Sequence, residues 1–219
     1  RYLGAAEQVI ESAMPDQADT AELQKTRNLL LGSKSAAEAI THFGRRAFRR
    51  PMRDGELKPL LNYYSELTGQ NPASVTDNKV SYKALGQVFE VILASPSFLF
   101  RSETDQSKQS KQAFRITDHE LASRLSYFLW ATMPDDQLNR TADAGTLRDP
   151  RVLAAEVNRM LADPKSNTLG EIFASQWLGF GALPHAPRDP FDNPWATASL
   201  VGALQQESAL FFSSLVKEN

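Results

Sequence analysis

Apolar residues along this chain recur at spacings of three and four positions, which is the pattern of an amphipathic helix. Between Asp54 and Thr68 this spacing predicts a helix, and Gly69 is placed to cap its C-terminus. Its apolar positions are Leu57, Leu60, Leu61, Tyr64 and Leu67. No stretch alternates apolar and polar residues with a period of two between hairpin-turn residues. The pattern therefore predicts an all-α fold without a significant β-sheet.

Two helix starts carry the signature of a capping box, in which a Ser or Thr and a Glu three residues later bond to each other's backbone N–H groups. Ser35 with Glu38 opens one predicted helix, which stops before Pro51. Thr117 with Glu120 opens another. Because the signal is local, we expect both helices to begin at these residues.

Proline marks two further helix starts, since an Asp before a proline combines an N-cap with a fixed helical φ angle. Asp149-Pro150 opens one helix and Asp163-Pro164 opens the next. The second helix carries an apolar stripe formed by Leu169, Ile172, Phe173 and Trp177. Trp130 and Trp177 both occupy apolar faces of predicted helices, so we expect both indole rings in the core.

Two stretches interrupt the helical pattern. Residues 103–113 consist almost entirely of Glu, Thr, Asp, Gln, Ser and Lys, which predicts a surface linker. Residues 179–194 are rich in proline and glycine and are predicted to be a long loop, followed by a final amphipathic helix. We therefore expect two packed multi-helix modules, residues 1–102 and 114–219, joined by the linker.

The composition and charge of the chain exclude several classes of function. Of the 219 residues, 42% are hydrophobic and 23% are charged, which is typical of a globular chain with a core. The net charge of −2 lacks the basic excess of a nucleic-acid binder. No apolar stretch reaches the length of about 20 residues that a membrane span needs. The absence of cysteine excludes disulfides, thiolate metal sites and C-x-x-C-H haem attachment within this chain.

A cluster of four arginines is the sharpest local charge feature of the sequence. Such a cluster can bind an anionic ligand, an acidic glycan or the acidic patch of a partner. The alternative is structural, because arginines in the last turn of a helix favour the carbonyl end of its dipole and pair with nearby carboxylates. The candidate binding residues are Arg45, Arg46, Arg49 and Arg50.

The predicted loop and the residue that follows it supply a second group of candidate binding residues, His185, Arg188 and Trp195. An exposed indole beside Arg, Asp and Asn side chains can stack on a sugar ring or on a proline of a partner. The alternative is that the loop packs its own aromatic side chains on the helices.

Catalytic and metal-binding signatures are missing from the sequence. His42, His119 and His185 lie far apart and form no H-E-x-x-H pair, so we predict no metal site. Asp135-Asp136 resembles a pair of carboxylates for acid–base chemistry, but its position at a predicted helix start is explained by the preference of acidic side chains for that end. We assign no catalytic residue.

Several strings resemble two families of bacterial, planctomycete-type domains of unknown function. Residues 43–51 and 92–101 resemble DUF 1595. The strings that resemble DUF 1592 are residues 121–130, 133–136, 147–150, 159–164 and 176–178. Residues 1–7 resemble the tail of a DUF 1587-like module. The resemblance implies a DUF 1595-like module with a residual upstream helix, followed by a DUF 1592-like module truncated at its C-terminus.

The resemblance also implies an exported bacterial protein with several domains, located in the periplasm or outside the cell. Such proteins commonly carry a c-type cytochrome segment and sometimes carbohydrate-binding modules, which implies a role accessory to electron transfer or polysaccharide processing. No cofactor is expected within this chain, and a haem c would lie elsewhere in the parent protein. The expected partners are other domains of the same polypeptide, protein subunits or carbohydrate.

Two other functions stay open from the sequence. A structural subunit or docking module of a large assembly would leave an apolar patch uncovered. An enzyme whose site is completed by other modules would hold charged residues in a cleft, and Arg46, Arg124 and Glu207 are the candidates.

Overall fold

The computed structural model describes residues 2–13, 25, 35–74, 80–101, 115–187, 191, 193 and 195–218. Within these residues the regular structure is helical and no β-strand is present, which confirms the predicted all-α fold. The chain forms two compact units, Arg1–Ser110 and Lys111–Asn219. The predicted linker lies outside the described residues. None of the described helices is long and apolar enough to cross a membrane.

The described part of the first unit is built from helices around one central helix. These are α1 (Tyr2–Ala13), α2 (Ala36–Phe48), α3 (Asp54–Thr68), α4 (Tyr82–Ala94) and the single turn α5 (Pro96–Leu99). Helix α4 is central, because α1, α2, α3 and α5 all pack on it.

The core of the first unit forms where α2, α3 and α4 meet. The rings of Phe43 and Phe89 stack with centroids 4.0 Å apart. Tyr64 is fully buried, and its phenolic oxygen accepts a hydrogen bond of 3.2 Å from the Ser81 N–H. Burial of each large apolar side chain contributes about 1.5–3 kcal/mol, so the packing of α2 and α3 on α4 stabilises this unit.

Local capping sets the helix ends in the first unit. The Ser35 hydroxyl accepts a hydrogen bond from the Glu38 N–H (3.2 Å), and the Glu38 carboxylate accepts one from the Ser35 N–H (3.1 Å), which confirms the capping box. Helix α3 spans the predicted residues and is followed by Gly69, whose φ of 68° lies in the left-handed region that glycine favours. Both boundaries therefore follow from residues within one turn of the helix end.

The second unit contains three kinds of helix. Its described α-helices are α6 (Asp118–Trp130), α7 (Asp136–Asp143), α8 (Pro150–Ala162), α9 (Ser175–Trp177) and α10 (Ala198–Glu218). The other helical segments are the 3₁₀ helices Pro164–Asn167 and Phe180–His185 and the π-helix Leu169–Ala174. Helix α10 packs on both the π-helix and the second 3₁₀ helix.

The predicted helix starts of the second unit are also confirmed. The Thr117 hydroxyl accepts from the Glu120 N–H (3.2 Å), and the Glu120 carboxylate accepts from the Thr117 N–H (2.7 Å). The Asp149 carboxylate accepts a hydrogen bond of 2.8 Å from the Arg151 N–H, one residue into α8 beyond Pro150. These hydrogen bonds satisfy backbone donors that have no partner within the helix.

The two tryptophans that were predicted to lie in the core differ in their exposure. Trp130 is 2% exposed, and its indole N–H donates to the Met160 carbonyl oxygen (2.9 Å), so its prediction is confirmed. The prediction for Trp177 is wrong, because its side chain is 68% exposed. The predicted stripe begins in a π-helix, whose hydrogen bonds span five residues instead of four. Leu169, Gly170 and Ala174 are its buried residues, whereas Ile172 and Phe173 are 44% and 39% exposed.

The predicted loop is partly helical. Phe180–His185 form a 3₁₀ helix after Gly179, which has a φ of 79°. The Gln205 side-chain amide donates a hydrogen bond of 3.1 Å to the Phe180 carbonyl oxygen. The prediction of a loop over residues 179–194 is therefore wrong for this first part, which is fixed to α10.

Candidate functional site

Within the arginine cluster, Arg49 has a structural role. It follows α2 with a φ of 59°, and its side chain is buried. Its guanidinium donates hydrogen bonds to the carbonyl oxygens of Ser97 (2.9 Å), Phe98 (3.2 Å) and Phe100 (3.2 Å). Since these carbonyls end the short helix α5, Arg49 acts as its C-terminal cap.

Arg50 forms a two-pronged ion pair with Glu56 at the start of α3. The two guanidinium nitrogens lie 2.8 and 2.7 Å from the two carboxylate oxygens. The same guanidinium lies over the Phe48 ring, 5.7 Å from its centroid. The hydrogen bonds from Arg50 lower the pKa of Glu56 to about 2. Arg50 therefore ties the end of α2 to the start of α3.

This ion pair predicts an acid-dependent loss of stability. Because folding lowers the pKa of Glu56, the pair stabilises the first unit above the ordinary pKa of a glutamate, and the contribution is lost as pH falls towards 2. We expect Glu56→Gln to lower stability by about 1 kcal/mol at neutral pH. The difference between the variant and the original chain should shrink between about pH 4.5 and pH 2 in urea denaturation followed by circular dichroism. A difference that is constant with pH would contradict this prediction.

The other predicted binding residues are divided between the two units. Arg45 and Arg46 are half-buried in the last turn of α2. In the second unit, His185 and Trp195 are exposed, whereas Arg188 lies outside the described residues. Arg124 and Glu207, which the enzyme alternative named, are exposed as well. A binding role for these residues stays a prediction.

An ion-pair cluster that the sequence did not predict joins the start of α7 to the second half of α8. Arg159 donates to Asp135 (2.8 and 3.2 Å) and to Glu156 (2.9 and 2.7 Å). Glu156 is buried and also accepts a hydrogen bond of 3.0 Å from the Gln137 side chain. Asp135 caps α7 as predicted, through the Leu138 N–H (2.8 Å). We refer to these three charged side chains as the Asp135–Glu156–Arg159 cluster.

Hydrogen bonds within this cluster determine the direction in which the pKa of Asp135 shifts. Partial burial raises the pKa of Asp135, but hydrogen bonds from Arg159 and from the Leu138 N–H outweigh that effect and lower it. Arg159 and Lys165 both lie over the Trp130 ring, 5.5 and 4.5 Å from its centroid. Asp135 is held ionised and both carboxylates are paired with Arg159, which suits a structural clamp better than proton transfer. In the described part of the chain no group of three His, Asp or Glu side chains is placed to hold a metal ion.

Four aromatic rings of the second unit contact each other at its surface, and we call them the aromatic surface. They belong to Phe128, Phe173, Trp177 and Phe212. Phe173 is at the centre, with its ring 5.4 Å from that of Phe128, 5.8 Å from Trp177 and 6.3 Å from Phe212. The rings come from α6, the π-helix, α9 and α10, so the surface depends on how these helices pack.

Exposed apolar side chains also lie on and near the helices that carry the aromatic surface. Phe128 is 53% exposed and Phe211, next to Phe212 on α10, is 66% exposed. Of the described residues of α10, Val201 alone is buried. The other exposed apolar side chains on and beside this helix are Ile172, Leu178, Leu200, Leu204, Leu210 and Leu215. An apolar area of this extent is uncommon on the surface of a monomer.

A glycine permits the close approach of the π-helix and α10. A Cβ atom at Gly170 would clash with the Ala209 carbonyl oxygen and would lie 2.5 Å from the Ser213 hydroxyl. Gly170 therefore brings the two backbones together and places Phe212 beside Phe173. Its effect is to hold the aromatic rings in one surface.

Comparison with protein families assigns both units. Residues 116–219 match the family model described as PSD4, protein of unknown function (DUF1592), and residues 35–103 match PSD5, protein of unknown function (DUF1595). We refer to the two matched regions as the DUF1595 domain (residues 35–103) and the DUF1592 domain (residues 116–219). The aromatic surface and the Asp135–Glu156–Arg159 cluster therefore lie in the DUF1592 domain, and the arginine cluster lies in the DUF1595 domain.

The two family matches confirm the resemblance and also leave part of the chain unassigned. Helix α1 precedes the DUF1595 match, so the resemblance of residues 1–7 to a DUF 1587-like tail stays a prediction. Comparisons with curated proteins and with solved structures found no match.

Proposed function

We propose that the DUF1592 domain is a docking module, which binds an apolar helical face of another protein module through the aromatic surface and the adjoining side of α10. The observation that carries this proposal is the exposure of Trp177, Phe128 and Phe211 beside rings that already contact each other. Exposed aromatic side chains are the residues that most often supply the binding energy of protein interfaces.

The exposed apolar area approaches that of a standard interface. The exposed parts of Phe128, Phe173, Trp177 and Phe211 amount to roughly 450 Å², given that a buried aromatic side chain covers about 150–250 Å². The neighbouring leucines and Ile172 bring the apolar area towards the roughly 800 Å² that each partner buries in a standard complex. A smaller apolar patch would support only a transient contact.

The charge pattern favours a protein over other occupants. Between Ala198 and Val216, Glu207 is the one charged residue of α10. The exposed side of α10 up to Val216 carries no basic residue, so it offers no electrostatic attraction for anionic lipid or nucleic acid. Sugar-binding surfaces combine aromatic rings with polar hydrogen-bonding groups, whereas the exposed side chains of α10 are mostly apolar. An apolar protein helix is therefore the occupant that fits.

The biological setting of this docking module rests on the resemblance. We place it in an exported multi-domain protein associated with a c-type cytochrome, where it would position other domains or subunits for electron transfer or polysaccharide processing. The haem c would belong to a different part of that protein. The docking proposal does not depend on which of the two processes it serves.

Oxidative footprinting tests the proposal even though the partner is unidentified. Hydroxyl-radical labelling is compared between the isolated chain and the complete protein purified from its source. We expect Trp177, Phe128 and Phe211 to be labelled at least about tenfold less in the complete protein, as for residues at the centre of an interface. Exposed Tyr2 and Tyr82 of the first unit serve as internal references.

Three outcomes of this experiment separate the alternatives. Equal labelling of Trp177 in both samples overturns the docking proposal. The docking proposal is supported if the protection is lost in Trp177→Ser and retained in Val91→Ser. A concentration-dependent dimer of the isolated chain that Trp177→Ser abolishes would make a second copy the occupant, and would overturn the choice of a different module.

A further inference from the structure

Helix α10 carries an exposed stripe of side chains along one of its faces. The residues of this stripe follow each other at spacings of three or four positions, which places them on the same side of a helix. They are Leu200, Leu204, Glu207, Phe211 and Leu215. The apolar members are exposed by between 38% for Leu200 and 66% for Phe211, and Glu207 is exposed as well. We call these five residues the α10 stripe.

Glu207 lies at the centre of the α10 stripe. Leu204 is one turn before it and Phe211 is one turn after it, so exposed apolar side chains flank the carboxylate on both sides. Between Ala198 and Val216, no other residue of α10 is charged. A partner that covers the stripe from end to end therefore also covers this carboxylate.

The cations of this chain do not neutralise Glu207. Among the residues that the structure describes, none forms an ion pair with its carboxylate. Lys217, the nearest cation along α10, is ten residues away, at a rise of about 15 Å. Its ammonium group donates to the Asn167 side-chain oxygen (2.8 Å). The charge of Glu207 is therefore available to a partner.

An entirely apolar partner face would leave Glu207 buried without a cation. Burial of an unpaired carboxylate is strongly unfavourable, whereas a matching cation compensates for the lost hydration. A second copy of α10 is a poor source of that cation, because this helix has no basic residue before Lys217. Pairing Lys217 of a second copy with Glu207 would align the two helices over only part of their length. The partner is therefore expected to differ from α10 in its charge.

We propose that the partner helix carries one lysine or arginine opposite Glu207, within a face that is otherwise apolar. This inference rests on the proposed docking function and adds a chemical requirement for the partner. A single charged pair inside an apolar contact also fixes the register of the two helices, because a shift by one turn leaves both charges unpaired. Apolar helices without the cation are rejected for the same reason.

Removing the charge of Glu207 has opposite effects with and without a partner cation. With a cation opposite, Glu207→Leu leaves that cation buried and unpaired, so docking becomes weaker. With an entirely apolar face opposite, the same substitution removes a buried charge, so docking becomes stronger. Glu207→Gln keeps the size of the side chain and should change docking in the same direction as Glu207→Leu.

Hydroxyl-radical labelling of Trp177 at increasing urea concentration measures docking in the complete protein, purified from its source with each substitution introduced. Labelling of Trp130, which is 2% exposed, reports unfolding of the DUF1592 domain in the same sample. We expect Trp177 to be released before Trp130, and at a lower urea concentration in Glu207→Leu than in the original protein. The docking constant should fall at least about tenfold, as for truncation of one partner of a buried charge pair.

The control variant is Glu66→Gln, which removes an exposed carboxylate of α3 in the first unit and should leave the release of Trp177 unchanged. If Trp177 is protected in the original protein but Glu207→Leu leaves docking unchanged or strengthens it, the partner cation is overturned and the docking function stands. Equal losses in Glu66→Gln and Glu207→Leu also overturn the cation. If Trp177 is labelled equally in the isolated chain and the complete protein, both proposals are overturned.

Discussion

Replacing Gly170 by valine should lower the stability of the DUF1592 domain by about 3 kcal/mol, the upper range for forcing extra atoms into a packed contact. The new Cβ would meet the Ala209 carbonyl oxygen and the Ser213 hydroxyl of α10. Because the first of these is backbone, the clash cannot be relieved by a side-chain rotation. The π-helix and α10 must separate, which also moves Phe212 away from Phe173.

The measurement is urea denaturation followed by tryptophan fluorescence. All three tryptophans, Trp130, Trp177 and Trp195, lie in the second unit, so the signal reports on the DUF1592 domain alone. Gly202→Val is the matched control, because a Cβ at Gly202 of α10 meets no atom within 4 Å. We expect that control to change stability by less than about 0.5 kcal/mol. Equal losses in the two variants would show that the contact at Gly170 is not close.

Arg159→Met should destabilise the same domain by about 2–3 kcal/mol. The methionine keeps an apolar stem near Trp130 but leaves Asp135 and buried Glu156 without their shared cation. Breaking a fully buried ion pair costs about 3–5 kcal/mol, and the value is lower here because the Arg159 and Asp135 side chains are each about a quarter exposed, at 27% and 28%. The loss should be visible in thermal denaturation followed by circular dichroism.

A neighbouring arginine provides the control for this prediction. Arg151 lies on the same helix, α8, and its side chain is exposed. Arg151→Met should therefore change stability by no more than about 0.5 kcal/mol. A double variant, Arg159→Met with Glu156→Gln, should recover part of the loss, because the buried charge is removed together with its partner. Additive losses in the double variant would contradict the proposed pairing.

The sequence predicted those features of the fold that depend on residues within one turn. Both capping boxes, the Asp149 cap and the glycine after α3 are short-range arrangements, and the structure contains each of them. The π-helix was not predicted, because its apolar stripe has the same spacing as that of an α-helix. Whether Trp177 is covered depends on packing against residues that are remote in the sequence, such as Phe212 of α10.

The candidate site was predicted less well than the fold. The arginine cluster was recognised, but the partners of Arg49 and Arg50 lie on α5 and α3, and sequence spacing does not reveal such contacts. The docking alternative named an uncovered apolar patch, which agrees with the exposed side chains of α10. The repeated aromatic residues at Phe173–Trp177 and Phe211–Phe212 were the available signal for the aromatic surface. Of these residues, Trp177 was predicted to be core, since periodicity alone does not show which side of a helix is covered.

The π-helix has a consequence for how this surface can change. A π-turn contains one residue more than the corresponding turn of an α-helix. Deleting a single residue between Leu169 and Ala174 would restore α-helical bonding and leave the residues that follow on the same side of the helix, because the wide turn already accommodates the extra residue. The same residues wound as a regular α-helix would instead rotate Trp177 by about 100° relative to Leu169. The wide turn thus sets the direction in which this indole points, and a relative that is one residue shorter here can keep the same surface without the π-helix.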